Sequence, residues 1–517
     1  MPTETHSKNV DSHDYLKRIL LAPVYDVAVN SDLTYLNRLS HELGNQIWLK
    51  REDQQPVKSF KLRGAYNCIS QLNAVQLANG VVTASAGNHA QGVAYSAQRK
   101  AVKATIVMPE TTPDIKIDAV KRFGGQFVDV VLHGTSFDQA NLFARQLSET
   151  RGMTFIPPFD NQDVIAGQGT IARELLEQNP NIQRLFIAVG GGGLAAGIAV
   201  FLKQLKPEIQ LIAVEAEESA CLTAAMQAGK PVTLPSVGIF ADGVAVKTIG
   251  EEPFRLCAEL IDEVITVSND EICAAIKDIF DDTRVIAEPA GALSIAAIRK
   301  YIHQHNISNE VLGGILCGAN TNFHTLRYVS ERCELGEQKE AVIAVRLPEH
   351  AGAFKRFCEA LGNRAITEFN YRFSSTNEAH IFVGIRLKQG KSELEALLAS
   401  LQNENYQCFD LSDNELAKLH VRHMVGGRPA QRLNEHVFSF TFPEYPGALL
   451  QFLNTLGEKW NITLFHYRNH GAAEGLVLCG FDLPDASRPE FEQHLQKLNY
   501  SFEEQTDNDA YKFFLAN

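Results

Sequence analysis

The sequence predicts an α/β protein with open, mostly parallel sheets over its first two thirds and a repeated α+β, ferredoxin-like module over its last third. Three observations carry this. Short β-rich runs alternate with helical ones from about Asn45 to about Leu326, several of those runs lack a polar face, and an internal repeat begins after about Gly336. Runs without polar alternation suit strands covered by helices on both sides, as parallel sheets require.

The runs are Gln46–Lys50, Gly80–Thr83, Ala104–Met108, Leu185–Val189, Leu211–Val214 and Gly314–Leu316. In such sheets ligands gather beyond the carboxyl ends of the strands, where strand-to-helix turns are made, so those turns hold the candidate functional residues.

Ahead of the second run lies Lys58-Ser59-Phe60-Lys61-Leu62-Arg63-Gly64-Ala65, at the mouth of an amphipathic helix continuing through Tyr66, Ile69 and Leu72. A cation there faces the positive end of the helix dipole, and partial burial beside Phe60 acts in the same direction. Both favour the free amine that attacks an aldehyde or takes a carbon-bound proton, which makes Lys61 a candidate Schiff-base lysine. Two lysines on a solvated helix start are the plain alternative.

After Thr83 comes Ala84-Ser85-Ala86-Gly87-Asn88-His89-Ala90-Gln91-Gly92. Its backbone N–H groups suit a carboxylate and Asn88 can donate to an oxyanion; capping of the next helix by Ser85 or Asn88 explains the same residues. After Val189 comes Gly190-Gly191-Gly192-Gly193-Leu194, where four glycines let backbone wrap a phosphate at a helix N-terminus. The run lacks a P-loop ending. Gly190, Gly192 and Ala195 also satisfy a dinucleotide spacing, with Glu215 ending the next strand as a ribose partner. Further on, Glu288-Pro289-Ala290-Gly291-Ala292 opens an Ala-rich helix, and Cys317-Gly318-Ala319-Asn320 follows the last run. A cysteine there is either a small buried hydrophobe or part of the same crevice.

Taken in order, Ser-Phe-Lys-x-Arg-Gly-Ala, Ser-x-Gly-Asn-His-x-Gln-Gly, Gly-Gly-Gly-Gly-Leu, Glu-Pro-x-Gly-Ala and Cys-Gly-x-Asn resemble the fold-type II, tryptophan synthase β-like, pyridoxal-phosphate enzymes. The resemblance covers about residues 20 to 330 and is closest to the serine/threonine dehydratases. It implies pyridoxal 5'-phosphate as cofactor, Lys61 as the lysine bonded to it next to Phe60, and Gly190 to Leu194 as its phosphate cradle. It further implies Asn88 as donor to the ring 3'-oxygen and Cys317 as neutral partner of the pyridine nitrogen. Ser85, Ala86, Gly87, Asn88 and His89 take the substrate carboxylate in this reading, with Lys61 and Ser85 as the catalytic pair. Serine racemases carry a second serine where this chain has Ala86, which disfavours racemisation.

Near Gly336 the α/β alternation stops. Glu349-His350-Ala351-Gly352-Ala353-Phe354 aligns with Glu444-Tyr445-Pro446-Gly447-Ala448-Leu449, and Ile366, Phe369, Tyr371, Arg372 and Gly384 align with Ile462, Phe465, Tyr467, Arg468 and Gly480. Each copy reads β-α-β-β-α, ferredoxin-like in order, and resembles the ACT-like amino-acid-binding regulatory modules. That likeness points to Gly352, Ala353, Gly447 and Ala448, with Tyr371 and Tyr467 beside them, as effector residues; a purely structural interface is the alternative. A dehydratase with two such modules resembles the biosynthetic threonine dehydratases, which implies L-threonine as substrate with some use of L-serine, isoleucine as inhibitor, valine as activator, and a homotetramer. The expected divisions are 1–335, 336–430 and 431–517.

Composition bounds the rest. The chain has 517 residues, 45% of them hydrophobic, enough for several cores. Lys+Arg 48 against Asp+Glu 61 gives −13, which argues against nucleic acid or a membrane surface as partner. Nine cysteines without a Cys-x-x-Cys pair suit a reducing compartment and no metal. Met1 to His13 is polar and no apolar run follows it, so a cytoplasmic location is expected.

Overall fold

The computed structural model describes residues 12–348, 352–362, 364–373, 378–424, 434–443, 448–456, 459–468, 474–497 and 500–515. They belong to two compact units, Met1–Gly336 and Glu337–Asn517.

The first unit holds two sheets. One has six strands in the order Leu33–Tyr35, Gln46–Arg51, Val311–Leu316, Arg184–Ala188, Gln210–Ala216 and Glu263–Val267. All its pairings are parallel except the first. The other has four parallel strands, Val128–Leu132, Ala104–Met108, Val81–Ala84 and Thr154–Phe155. Val81–Ala84 and Ala104–Met108 are buried throughout, Thr83 and Thr105 included, the cause of their lack of a polar face.

The helix Lys61–Ser70 packs against the helices Asn88–Lys100 and Gln162–Gln178. Glycines allow the approach: a Cβ on Gly167 would lie 2.6 Å from the Arg63 carbonyl oxygen, and one on Gly92 3.2 Å from that of Lys61. Arg63 anchors the helix from below. It is fully buried and donates to Glu52 at 2.8 Å and Glu174 at 2.6 Å, while buried Lys50 lies 2.6 Å from Glu174. Two cations and two carboxylates thus neutralise one another out of water, the only condition under which such burial is tolerable.

The second unit is one antiparallel sheet of eight strands: Gln407–Asp410, Glu340–Pro348, Glu378–Arg386, Ile366–Arg372, Asn461–Arg468, Glu474–Asp482, Glu435–Pro443 and Ser501–Glu504. The order reads the same from either edge, because each repeat contributes four strands and the two meet along Ile366–Arg372 and Asn461–Arg468, with Tyr371 opposite Phe465 and Phe369 opposite Tyr467. The repeat recurs in detail. Thr367 donates to Glu340 and Thr463 to Glu435, and each contact closes over a glycine, Gly384 or Gly480, where a Cβ would strike that threonine. Each copy is β-α-β-β-α-β: the closing strands Gln407–Asp410 and Ser501–Glu504 go beyond the five-element pattern read from sequence. Both are short, mostly exposed edge strands with little apolar patterning. The two helices of each copy are Ala353–Leu361 and Lys391–Asn403 in the first and Ala448–Leu456 and Arg488–Lys497 in the second, and short helices Glu415–Leu419 and Asp509–Phe514 follow the closing strands.

Candidate active site and effector cleft

Lys58-Ser59-Phe60 is held in place by the segment that follows Leu316. Phe60 N donates to the Cys317 carbonyl at 3.1 Å and Ala319 N to the Lys58 carbonyl at 3.0 Å, with a bridge between Ser59 and Gly318. Lys58 has φ 57°, a left-handed conformation that costs energy in a residue with a side chain and that turns the chain into the helix. Lys61 is the first residue of that helix. Its Nζ lies 3.4 Å from the Pro158 carbonyl oxygen and 5.2 Å from the centre of the Phe60 ring. Burial pushes the amine down from 10.5 to about 8, against the opposing pull of Cys317 and Glu288.

Lys61 opens into a cleft of about 490 Å³ that also touches Phe60, Asn88, the whole stretch Gly190 to Leu194, Glu288 and Cys317. All five motifs therefore have side chains or backbone in one cavity, and the segment Ser85 to Gly87 immediately precedes Asn88 in the chain. The glycine loop joins strand Arg184–Ala188 to helix Gly193–Leu205. A Cβ on Gly191 would strike the Phe159 ring, one on Gly190 would lie 2.9 Å from Val244 Cα, and Gly192 has φ +87°. Backbone alone fits there, at the start of a helix that lines the cavity, an arrangement of the kind that suits an anion such as phosphate. An amine near its free base, an anion cradle, an amide and a neutral thiol form a donor set that fits pyridoxal phosphate.

Cys317 is buried, with Sγ 3.6 Å from the Ile315 carbonyl oxygen, and burial pushes its thiol far above the usual range, so it stays neutral. Asn88 begins the helix Asn88–Lys100, and its Nδ2 donates to Glu288 Oε1 at 2.7 Å. Ser85, Ala86, Gly87 and His89 do not line the cavity. Ser85 Oγ accepts from Gly87 N at 3.2 Å and Ala90 N at 3.3 Å, the capping arrangement its sequence context allows. The His89 side chain turns into the core, with Nε2 3.0 Å from the Ile156 carbonyl oxygen, and burial pushes it down to about 3, so it is neutral.

Glu215 does not serve a ribose. It is buried and accepts from Leu222 N at 2.6 Å and from Thr223 N and Oγ1 at 2.8 and 2.7 Å, holding the start of the helix Cys221–Ala228. Sequence reasoning quoted Glu288 and Asn320 within motifs but gave them no role, and it missed Phe159 and Val244 altogether. The Glu-Pro pair opening a helix was the available signal for Glu288; nothing in the sequence singles out Phe159.

The second unit has its own cleft, of about 440 Å³, between the repeats. Gly352, Ala353 and Tyr371 line it from the first copy, and Leu453, Trp460 and Ile462 from the second. Trp460 is buried, and its Nε1 has no hydrogen-bond partner among the described residues. Tyr467 lies buried in the seam between the repeats rather than in the cleft, Ala448 is the first residue of helix Ala448–Leu456, and Gly447 lies outside the described residues.

Comparison with known proteins agrees with this arrangement. Residues 25–318 match the family described as pyridoxal-phosphate dependent enzymes. Residues 331–421 and 426–515 match the C-terminal regulatory domain of threonine dehydratase. The biosynthetic L-threonine dehydratase of Escherichia coli K12 is 58% identical over 503 residues, 97% of either chain. The chain belongs to the pyridoxal-phosphate-dependent threonine dehydratases. Among solved structures, the processed form of threonine deaminase isoform 2 from Solanum lycopersicum superposes with a TM-score of 0.61 at 51% identity, covering 62% of this chain and 92% of that one. Serine racemase from Dictyostelium discoideum gives 0.55 at 32% identity, over 60% and 99%. This threonine dehydratase family member thus combines a fold-type II catalytic unit with a duplicated regulatory one. Among the described residues no helix is long and apolar enough to cross a membrane.

Proposed function

We propose that this chain removes water from L-threonine, and also from L-serine, giving 2-oxobutanoate or pyruvate with ammonia, at the entry to isoleucine synthesis in the cytoplasm. The observation that carries the reading is Lys61: an amine held near its free base in a cleft with a glycine cradle. Bound there, pyridoxal phosphate supplies the electron sink that makes the Cα–H bond of an amino acid acidic.

The chain's residues do the rest. Gly190 to Gly193 would hold the phosphate through backbone N–H groups, and Cys317, kept neutral by burial, would serve the pyridine ring without adding charge. Residues Ser85 to His89 present N–H groups to the substrate carboxylate. Lys61 Nζ takes the α-proton, a role for which a pKa near the working pH is best. Loss of the β-hydroxyl with a proton as water leaves an enamine, which becomes an imine and is hydrolysed to the 2-oxo acid. Ala86 offers no hydroxyl to the opposite face of Cα, so elimination is favoured over racemisation.

The modules 336–430 and 431–517 form, in this proposal, a unit that binds isoleucine as inhibitor and valine as activator within a homotetramer. The cleft between them supports this. Apolar walls at Ala353, Leu453 and Ile462 suit a branched side chain, and the unpartnered Trp460 indole N–H is a donor awaiting an acceptor such as a carboxylate. The test is 2-oxo acid formation from threonine by the purified protein, titrated with isoleucine. Turnover that falls with isoleucine supports both parts. Turnover indifferent to isoleucine removes the regulatory part, and absence of turnover with cofactor bound removes the substrate assignment.

A further inference from the structure

Three side chains, of which Asn88 and Glu288 line the cleft, form a closed hydrogen-bond arrangement. Asn320 Nδ2 donates to the Val57 carbonyl at 2.8 Å and to Asn88 Oδ1 at 2.8 Å. Asn88 Nδ2 donates to Glu288 Oε1 at 2.7 Å, and Glu288 Oε2 accepts from Asn320 N at 3.1 Å. Glu288 is itself held by backbone, its N–H on the Gly318 carbonyl at 3.2 Å, and a Cβ on Gly318 would lie 2.6 Å from Oε1. Each donor and acceptor has one assignment. Asn320 spends both amide hydrogens, so Asn88 must turn its oxygen to Asn320 and its nitrogen to Glu288. One Nδ2 hydrogen of Asn88 remains.

We propose that Glu288 and Asn320 are positioning residues for the dehydration, locking the Asn88 amide in the orientation that turns an N–H, and not the carbonyl oxygen, into the cleft. The inference deepens the assignment of Asn88 as donor to the cofactor and rests on it. A carboxyl group is the side chain this geometry needs, because it accepts at both oxygens. Glutamine in its place must oppose a donor to a donor, either at Asn320 N or at Asn88. Burial and the charge of Asp242 push Glu288 up to about 7, and a single added proton still leaves each oxygen a lone pair for its donor. The groups that face Glu288 are Asp242, Lys116, Asn88, Asn320, Lys61 and Cys317.

A cycle of full-length variants tests this: Glu288→Gln, Asn88→Ala and the pair together. Each is read by kcat, by the absorption maximum of the bound cofactor, and by the dissociation constant of the apo-protein for pyridoxal phosphate. Glu288→Gln alone is expected to shift the absorption band and lower kcat about ten- to a hundredfold, the usual effect of losing a partner that orients a ligand-binding group. In the Asn88→Ala background the same change is expected to alter each readout less than about twofold. Equal effects in both backgrounds would overturn the positioning role and leave Glu288 a structural residue. An Asn88→Ala protein that matches the parent in all three readouts would overturn the underlying assignment of Asn88 instead. Asn320→Ala, which frees the Asn88 oxygen without touching Glu288, runs through the same cycle if Glu288→Gln misfolds.

Discussion

Lys61 is charged against its surroundings, and two consequences follow. Folding lowers its pKa from 10.5 to about 8, so between those values the unfolded chain binds the extra proton. The contribution of Lys61 to stability therefore rises as pH rises from about 8 to 10.5, while below about 8 the folded protein bears the full cost of a desolvated ammonium. Denaturant midpoints of the apo-protein at pH 7 and pH 10 should diverge less in Lys61→Met than in the parent; equal divergence would mean that the amine is solvated. Lys61→Ala should lower threonine turnover by at least about a hundredfold, in the range of a lost general base, with loss of the visible absorbance of the lysine-bound cofactor. The lysine was legible because its neighbours in sequence create its environment, namely a helix start and an aromatic ring. Glu288 was not, since its partners Asn88 and Asn320 lie 200 and 32 residues away in the chain, and no local pattern records a contact made by folding.

The elements repeat this division. Strands Val81–Ala84, Ala104–Met108 and Gln210–Ala216 were legible because burial on both faces leaves a mostly apolar run without polar alternation. The edge strands Gln407–Asp410 and Ser501–Glu504 were not, because they pair on one side only and are mostly exposed. The glycine loop was legible as backbone without side chains, while the reason it tolerates none, the Phe159 ring and Val244, comes from other segments. Gly191→Ala should weaken pyridoxal phosphate binding at least about tenfold, measured by titration of the apo-protein, since ring and loop must both move. Unaltered affinity would show that the loop has room to spare. The helix that carries Lys61 depends likewise on Arg63. Arg63→Ala takes from Glu52 its ion-pair partner and leaves Glu174 paired with Lys50, and should cost about 3–5 kcal/mol of stability by chemical denaturation, the range for breaking a buried ion pair.

At the scale of the whole molecule, the duplicated unit is where sequence and structure together say most about regulation. The repeat fixed the positions of Gly352, Ala353 and Tyr371 on one side of a cleft, but the facing wall, Trp460 and Ile462, belongs to the other copy and became visible only when the two halves paired along Ile366–Arg372 and Asn461–Arg468. An effector bound there would touch both copies and so could bias how they are held together, the kind of two-state element that allostery requires. Isoleucine at about one hundred times its dissociation constant should stabilise the unit that binds it by about 2.7 kcal/mol. Scanning calorimetry with and without isoleucine would show this as an upward shift of one transition. Trp460→Phe removes the indole N–H but keeps an aromatic ring, so it should shrink that shift and raise the isoleucine concentration for half-inhibition about tenfold, as loss of a hydrogen bond to a charged group does. Thermal shift and inhibition must fall together if the cleft is the effector site. A variant with full inhibition at parental isoleucine concentrations would place the effector elsewhere in the unit.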